Sequence, residues 1–250
     1  MQYIEFGKQN EEVIILLHGG GLSWWNYQEV AELLQKRYHV ILPILNGHAG
    51  SDKHFLSIED NANDIITFID GHYDGTVLAI GGLSLGGQIL VEILSQRSDI
   101  CKTAIIESAL VIPMKLTHYL VKPMMDISFG LIKQKWFARL QFKSLRIKSE
   151  LYDEYYRDTC NITKENMISF LKTNSWYIVK ENLSNTQAKV FVFVGQKEQS
   201  NMIRSAHRLN KMIPDSILEI KQKMYHGDFS INFAKEYADT IIRILENKDK

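Results

Sequence analysis

The run Gly82-Leu83-Ser84-Leu85-Gly86 constrains what this chain can fold into more than any other. An apolar, β-prone stretch, Thr76 to Ile80, leads into it. Gln88 to Arg97 follows, with Ile89, Leu90, Ile93 and Leu94 at helical spacing. A strand that turns into a helix this sharply needs glycine on both sides of the turn, because a side chain there would collide with the neighbouring strand or helix. The serine between them is then held in a strained conformation with its hydroxyl exposed, as in a Gly-x-Ser-x-Gly nucleophile turn.

A serine that attacks a carbonyl needs backbone N–H donors for the resulting oxyanion. The Leu85 N–H, next after the serine, is one candidate. The second lies in Leu16-Leu17-His18-Gly19-Gly20-Gly21, where glycines follow the apolar strand Val13 to Leu17. Gly20 is the expected donor, with Gly21 behind it. His18 in that motif reads as a structural hydrogen-bonding residue.

A serine hydroxyl also needs a base. Of eight histidines, His226 is best placed. It lies in Met224-Tyr225-His226-Gly227-Asp228-Phe229, after the strand-like run Ser216 to Ile220 and before a last amphipathic helix. The orienting acid is expected after the preceding strand, Lys189 to Val194, where Glu198 is the first carboxylate. The order Ser84, Glu198, His226 is that of a triad on a parallel sheet. Glu107, closing the strand Thr103 to Ile106, is the rival acid.

Strands at 3–6, 13–17, 39–42, 76–81, 103–107, 189–194 and 216–221 alternate with helices near 25–37, 57–71, 85–97, 201–212 and 229–246. This alternation predicts a doubly wound, mostly parallel sheet. The short turn Gly7 to Glu12 predicts that the first two strands pair antiparallel. Ser57, with Asp60 three residues on, predicts a helix N-cap. The tail Glu246 to Lys250 reads as frayed.

Together these motifs resemble the α/β-hydrolase fold family. Gly47-His48-Ala49-Gly50-Ser51 is similar to that family's Gly-His-Gly-x-Ser loop, with alanine for the middle glycine. The resemblance covers residues 3–107 and 186–247, and departs in having glutamate at the acid position. It implies an eight-stranded-type sheet in a core of residues 1–107 and 186–250, with a helical cap, residues 108–185, over the site. The cap segment is rich in large apolar side chains, most of them expected to pack it onto the core. An apolar pocket is expected to involve Gly21, Trp24, Trp25, Met124, Met125 and Trp136. Residues 113–150 carry Lys115, Lys122, Lys133, Lys135, Arg139, Lys143, Arg146 and Lys148 against only Asp126 and Glu150. That row reads as a solvated face, or as one that attracts an anionic substrate or membrane surface.

Serine at 84 argues against the carboxylate-nucleophile dehalogenases and epoxide hydrolases of this fold. His48, Asp52 and His54 fit no hydrolytic metal signature, so no metal is expected. No dinucleotide or P-loop motif is present, and no cofactor is expected. The chain holds 29 basic and 29 acidic residues, which gives nucleic acid no general attraction. Cys101 and Cys160 lack metal spacing and suit a reducing compartment. The Met1 to Phe6 start lacks a signal-peptide layout, so a cytoplasmic location and no stable membrane insertion are expected. The expected function is a serine hydrolase acting on a small carboxylic ester, thioester or related acyl compound. A lyase or acyltransferase using the same triad, or a ligand receptor, are the alternatives.

Overall fold

The computed structural model describes residues 1–246; positions 247–250 of the tail expected to fray lie outside the described residues. The strands are β1 (Tyr3–Phe6), β2 (Val13–Leu17), β3 (His39–Pro43), β4 (Val77–Leu83), β5 (Cys101–Glu107), β6 (Lys189–Gly195) and β7 (Ile217–Lys221). The helices are α1 (Gln28–Leu34), α2 (Ile58–His72), α3 (Leu85–Gln96), α4 (Lys115–Ile132), α5 (Lys135–Leu145), α6 (Tyr152–Asn161), α7 (Lys164–Trp176), α8 (Ser200–Met212), α9 (Asp228–Ile231) and α10 (Ala234–Leu245). The segment between β5 and β6 holds α4 to α7 and no strand.

The strands form one sheet in the order β1-β3-β2-β4-β5-β6-β7, parallel except for β1. Seven strands are found among the described residues, where the resemblance implied eight. Both faces of the sheet are covered, as a parallel sheet requires. Along β2, Val13, Ile15 and Leu17 join the core on the side of α2, α3 and α8. Ile14 and Leu16 join the core on the side of α1 and α10. This is the two-residue period of a strand read on both faces.

The expected β1–β2 hairpin does not form. β1 pairs antiparallel with β3, Tyr3 opposite Pro43 and Phe6 opposite Val40. β2 is buried at every residue and takes β3 and β4 as parallel neighbours. The half-exposed β1 suits an edge, and the turn after it is tied elsewhere. Gly7 takes φ +64°, and a Cβ there would lie 2.4 Å from the Tyr38 carbonyl oxygen. The Asn10 amide donates to the Gln35 carbonyl at 2.8 Å. The turn therefore folds under the end of α1 and carries β1 to the far side of β3.

Two expected helices are subdivided. Trp24–Tyr27 forms a 3-10 turn before α1. The last helix breaks at Asn232–Phe233, where the Asp228 carboxylate accepts from the Asn232 amide at 2.7 Å. The Ser57 cap forms as expected, its hydroxyl accepting from the Asp60 N–H at 3.0 Å. The chain runs outward from β2 to β3, then returns to place β4 on the other side of β2. The gap beyond the carboxyl ends of β2 and β4 is thus the topological switch point, where open α/β sheets bind ligands.

Candidate active site

Ser84 sits between β4 and α3 with φ +54° and ψ −110°, a conformation that serine seldom adopts. Its own N–H donates to the Glu107 carbonyl at 2.9 Å, which pins the turn to β5. The two glycines are needed for the reason the sequence suggested. A Cβ at Gly82 would lie 2.4 Å from the Gly86 carbonyl oxygen, and one at Gly86 would lie 2.1 Å from that of Leu17.

The loop after β2 meets this turn. The Gly19 N–H donates to the Asn26 side chain at 3.1 Å and the Gly21 N–H to His48 Nε2 at 3.0 Å. The Gly20 N–H has no protein partner among the described residues, which leaves it open to an outside acceptor. Leu85 is the first residue of α3, where an N–H has no intrahelical acceptor. His48 therefore braces the loop, a role that its own motif did not disclose. Its Nε2 accepts, so Nδ1 donates to the Asn46 carbonyl at 3.1 Å. The ring stacks on Phe170, and burial pushes its pKa down to about 4. His18 is fully buried, accepts from the Leu45 N–H at 3.1 Å, and is held well below the usual imidazole range by burial. It is structural, as expected.

Glu198 and His226 are joined directly: a Glu198 carboxylate oxygen lies 2.7 Å from His226 Nδ1. The other carboxylate oxygen accepts from the Gly195 N–H and the Ser108 hydroxyl, both at 2.7 Å. Burial pushes the Glu198 carboxyl up. The His226 hydrogen bond and charge, followed by Gly195 and Ser108, outweigh it and hold the pKa below the ordinary value. For His226, loss of water around the ring acts downward even though 45% of the side chain stays exposed. The Glu198 hydrogen bond and the Glu198, Glu107 and Asp228 charges raise it overall. The His226 loop is fixed by Asp228, whose carboxylate accepts from the Tyr225 N–H at 2.6 Å, and by Gly227 at φ +73°. A Cβ at Gly195 would lie 2.5 Å from the Met224 carbonyl oxygen, so β6 must end in glycine for this loop to pass.

Glu107 is not bonded to the histidine. It is buried, with one oxygen 3.3 Å from the Ser230 N–H and the other without a partner among the described residues. Burial, reinforced by the Glu198 charge, outweighs Ser230 and pushes its pKa up to about 7.

Ser84 and His226 line a cavity of about 230 Å³ with Gly19, Gly20, Leu22, Leu83, Leu145, Ile147, Phe170, Leu171, Asn174, Gly227 and Ile231. A second hollow shares Ser84, Asn174 and His226 and continues past Leu110, Glu198, Gln199 and Met202. The expected pocket residues stand elsewhere. Trp25 is buried and donates its indole N–H to Asp158 at 2.8 Å, Trp24 packs on the α1 side of the core, and Gly21 is spent on His48. Met125 packs against the core, while Met124 and Trp136 point to solvent. The apolar wall comes instead from Leu145, Ile147, Phe170 and Leu171.

Asn174 was missed. The Gln88 amide nitrogen donates to the Leu110 and Asn174 carbonyls at 2.6 and 2.9 Å, so its oxygen must be the acceptor for the Asn174 amide nitrogen at 2.8 Å. That fixes the Asn174 side-chain oxygen as an acceptor with no protein partner among the described residues, in a residue that lines both hollows beside Ser84.

A strained serine on a strand–helix turn, at the switch point of a doubly wound sheet, defines a class. The chain belongs to the alpha/beta hydrolase family, whose sequence model matches residues 14–220. Solved structures agree in fold. A thermophilic esterase from Thermogutta terrifontis superposes with a TM-score of 0.80 at 15% identity, over 98% of this chain and 93% of that one. An enol-lactonase from Burkholderia xenovorans gives 0.79 at 14% identity, over 98% and 96%. A bromoperoxidase from Bacillus anthracis gives 0.81 at 14%, over 98% and 94%. No curated protein matches the sequence significantly. Proteins named for three different reactions share this fold, so the chemistry must be argued from the site.

Proposed function

We propose that this protein is a serine hydrolase that cleaves a carboxylic ester, thioester or related acyl compound through Ser84, His226 and Glu198. The observation that carries the reading is the 2.7 Å Glu198–His226 contact beside a cavity that Ser84 shares. With Nδ1 committed to Glu198, Nε2 is the imidazole nitrogen left to take the Ser84 proton. The Ser84 oxygen attacks the acyl carbonyl, and the Gly20 and Leu85 N–H groups receive the oxyanion. Collapse of that intermediate expels the alcohol or thiol, which takes the proton back from His226. Water, deprotonated by the same imidazole, then releases the acid and frees Ser84.

Residues 108–185 act in this reading as a cap whose Leu145, Ile147, Phe170 and Leu171 shape the acyl or alcohol pocket. The cavity wall is mainly apolar, which favours medium-sized apolar esters over charged ones. A fluorophosphonate tests the machinery without knowledge of the substrate. Intact-mass analysis should show one adduct on the native protein and none on Ser84→Ala. No adduct on the native protein, or an adduct that survives the substitution, rejects the reading.

A further inference from the structure

The outward faces of α4 and α5 are apolar where a soluble surface should be polar. On α4, Leu116, Tyr119, Leu120, Met124, Ile127 and Leu131 are all exposed, Ile127 by 84% and Leu116 by 73%. At helical spacing they fall on one stripe about 140° wide, opposite the side on which Val121 and Ile132 are buried. On α5, the next helix, Trp136 and Leu140 are exposed as well. Single exposed apolar residues are ordinary, but a contiguous patch of this kind marks a contact surface.

Charge indicates what the surface contacts. Lys115, Lys122 and Lys133 form a row along one flank of the α4 stripe, and Lys135, Arg139 and Lys143 stand beside Trp136 and Leu140. Lys115, Lys135 and Lys143 make no ion pair among the described residues. Residues 113–150 hold eight basic and two acidic side chains, a charge of +6, whereas the whole chain is neutral, so the remainder carries −6. Residues 113–145, which span the α4–α5 face, hold six basic and one acidic side chain, so a second copy meeting this face symmetrically would set +5 against +5. An apolar stripe edged by lysines, with a tryptophan at its margin, instead suits an anionic lipid surface. No helix of the described residues is long and apolar enough to cross a membrane. The same α5 that exposes Trp136 ends at Leu145, on the wall of the Ser84 cavity.

We infer that the α4–α5 face docks this protein peripherally on membranes containing anionic phospholipid, with the cavity mouth beside the lipid surface. The inference goes beyond the hydrolase reading and stands without it. The test is flotation of the full-length protein with vesicles of phosphatidylcholine alone or with about 30% phosphatidylglycerol, at low salt and at 0.5 M NaCl. Binding to the anionic vesicles at low salt, with salt release and little binding to phosphatidylcholine, is expected. Replacing Lys115, Lys135 and Lys143 by glutamate should weaken it at least about 100-fold, since each basic residue contributes to attraction at the surface. Met124→Ser with Ile127→Ser should weaken it at least about tenfold. These side chains are exposed, so circular dichroism and thermal melting should match the native protein. Ser84→Ala should bind as the native protein does, which separates docking from catalysis. Equal binding to both vesicle types, no binding to either, or binding unchanged in both variants overturns the inference. So does a dimer, found by sedimentation without lipid, that the Met124–Ile127 variant dissolves.

Discussion

Glu198 and Glu107 sit at the ends of adjacent strands, and both carboxyls are shut away from water. Glu198 has the imidazole and two further donors; Glu107 has one long N–H contact. Only the first environment favours a carboxylate that orients and stabilises an imidazolium. Glu198→Gln should therefore cut kcat on a p-nitrophenyl ester by up to about 10⁴-fold, and Glu107→Gln far less. The reverse order would move the acid to β5. The pH profile gives a second check. In the proposed mechanism His226 must be neutral to act as base, and its pKa in the native protein is raised by Glu198. The acid limb of kcat/KM should thus lie above the ordinary imidazole range, and shift to lower pH in Glu198→Gln. The Glu198–His226 contact was legible in sequence because Glu198 is the first acid after an unmistakable strand. His48 and Asn174 were not, because their partners lie 27 and 86 positions away. The fixed Asn174 oxygen should accept from a donor near the scissile bond. A 3-hydroxybutyryl ester should therefore outrun its 3-methoxy analogue in kcat/KM, and Asn174→Leu should remove that preference. Equal rates for the two esters would leave Asn174 no part in selection.

At the scale of elements, the strands and helices of the sheet were readable because β2 is a short unbroken apolar run, buried on both faces, and α3 carries apolar residues at a period near 3.6. The pairing of β1 was not, since the turn residues Gly7 and Asn10 are held by Gln35 and Tyr38, which a local reading cannot see. The cavity wall failed for a related reason. Between β5 and β6 apolar residues are abundant on several helix faces, and composition does not say which face turns inward. The structure separates them: Leu171 on α7 lines the cavity, whereas Met124 on α4 faces solvent. Leu171→Trp should shorten the acyl chain that p-nitrophenyl esters tolerate, while Met124→Trp should leave chain-length preference as it is. If both variants shift the preference alike, the cavity is not the acyl pocket. Trp25 ties the segment after the glycine loop to α6 through the buried Asp158 carboxylate. Trp25→Phe should cost about 1–3 kcal/mol, read from urea unfolding, because that carboxylate loses a donor it cannot replace with water.

For the molecule as a whole, one cost of building the site inside a sheet covered on both faces falls on Glu107. Its side chain is only 2% exposed, and its pKa is pushed from 4.5 up to about 7, burial being the largest cause. A carboxyl raised in the folded state makes folding bind a proton that the unfolded chain has already lost. Its linkage therefore favours the fold fully below about pH 4.5, and that contribution is lost as pH rises to about 7. The shift corresponds to something on the order of 3 kcal/mol, the difference between two ionisation equilibria about 2.5 pH units apart. His226 and Glu198 titrate as well, with raised and lowered pKa, so the native stability curve alone mixes their contributions. The difference between native and Glu107→Gln isolates the one group, because glutamine fills the same space and does not ionise. That difference, from urea unfolding at pH 4 to 8, should hold steady near pH 4, move steadily against the native protein between about pH 4.5 and 7, and level off above. A difference that stays flat across the range would mean that Glu107 ionises as easily inside the fold as outside it.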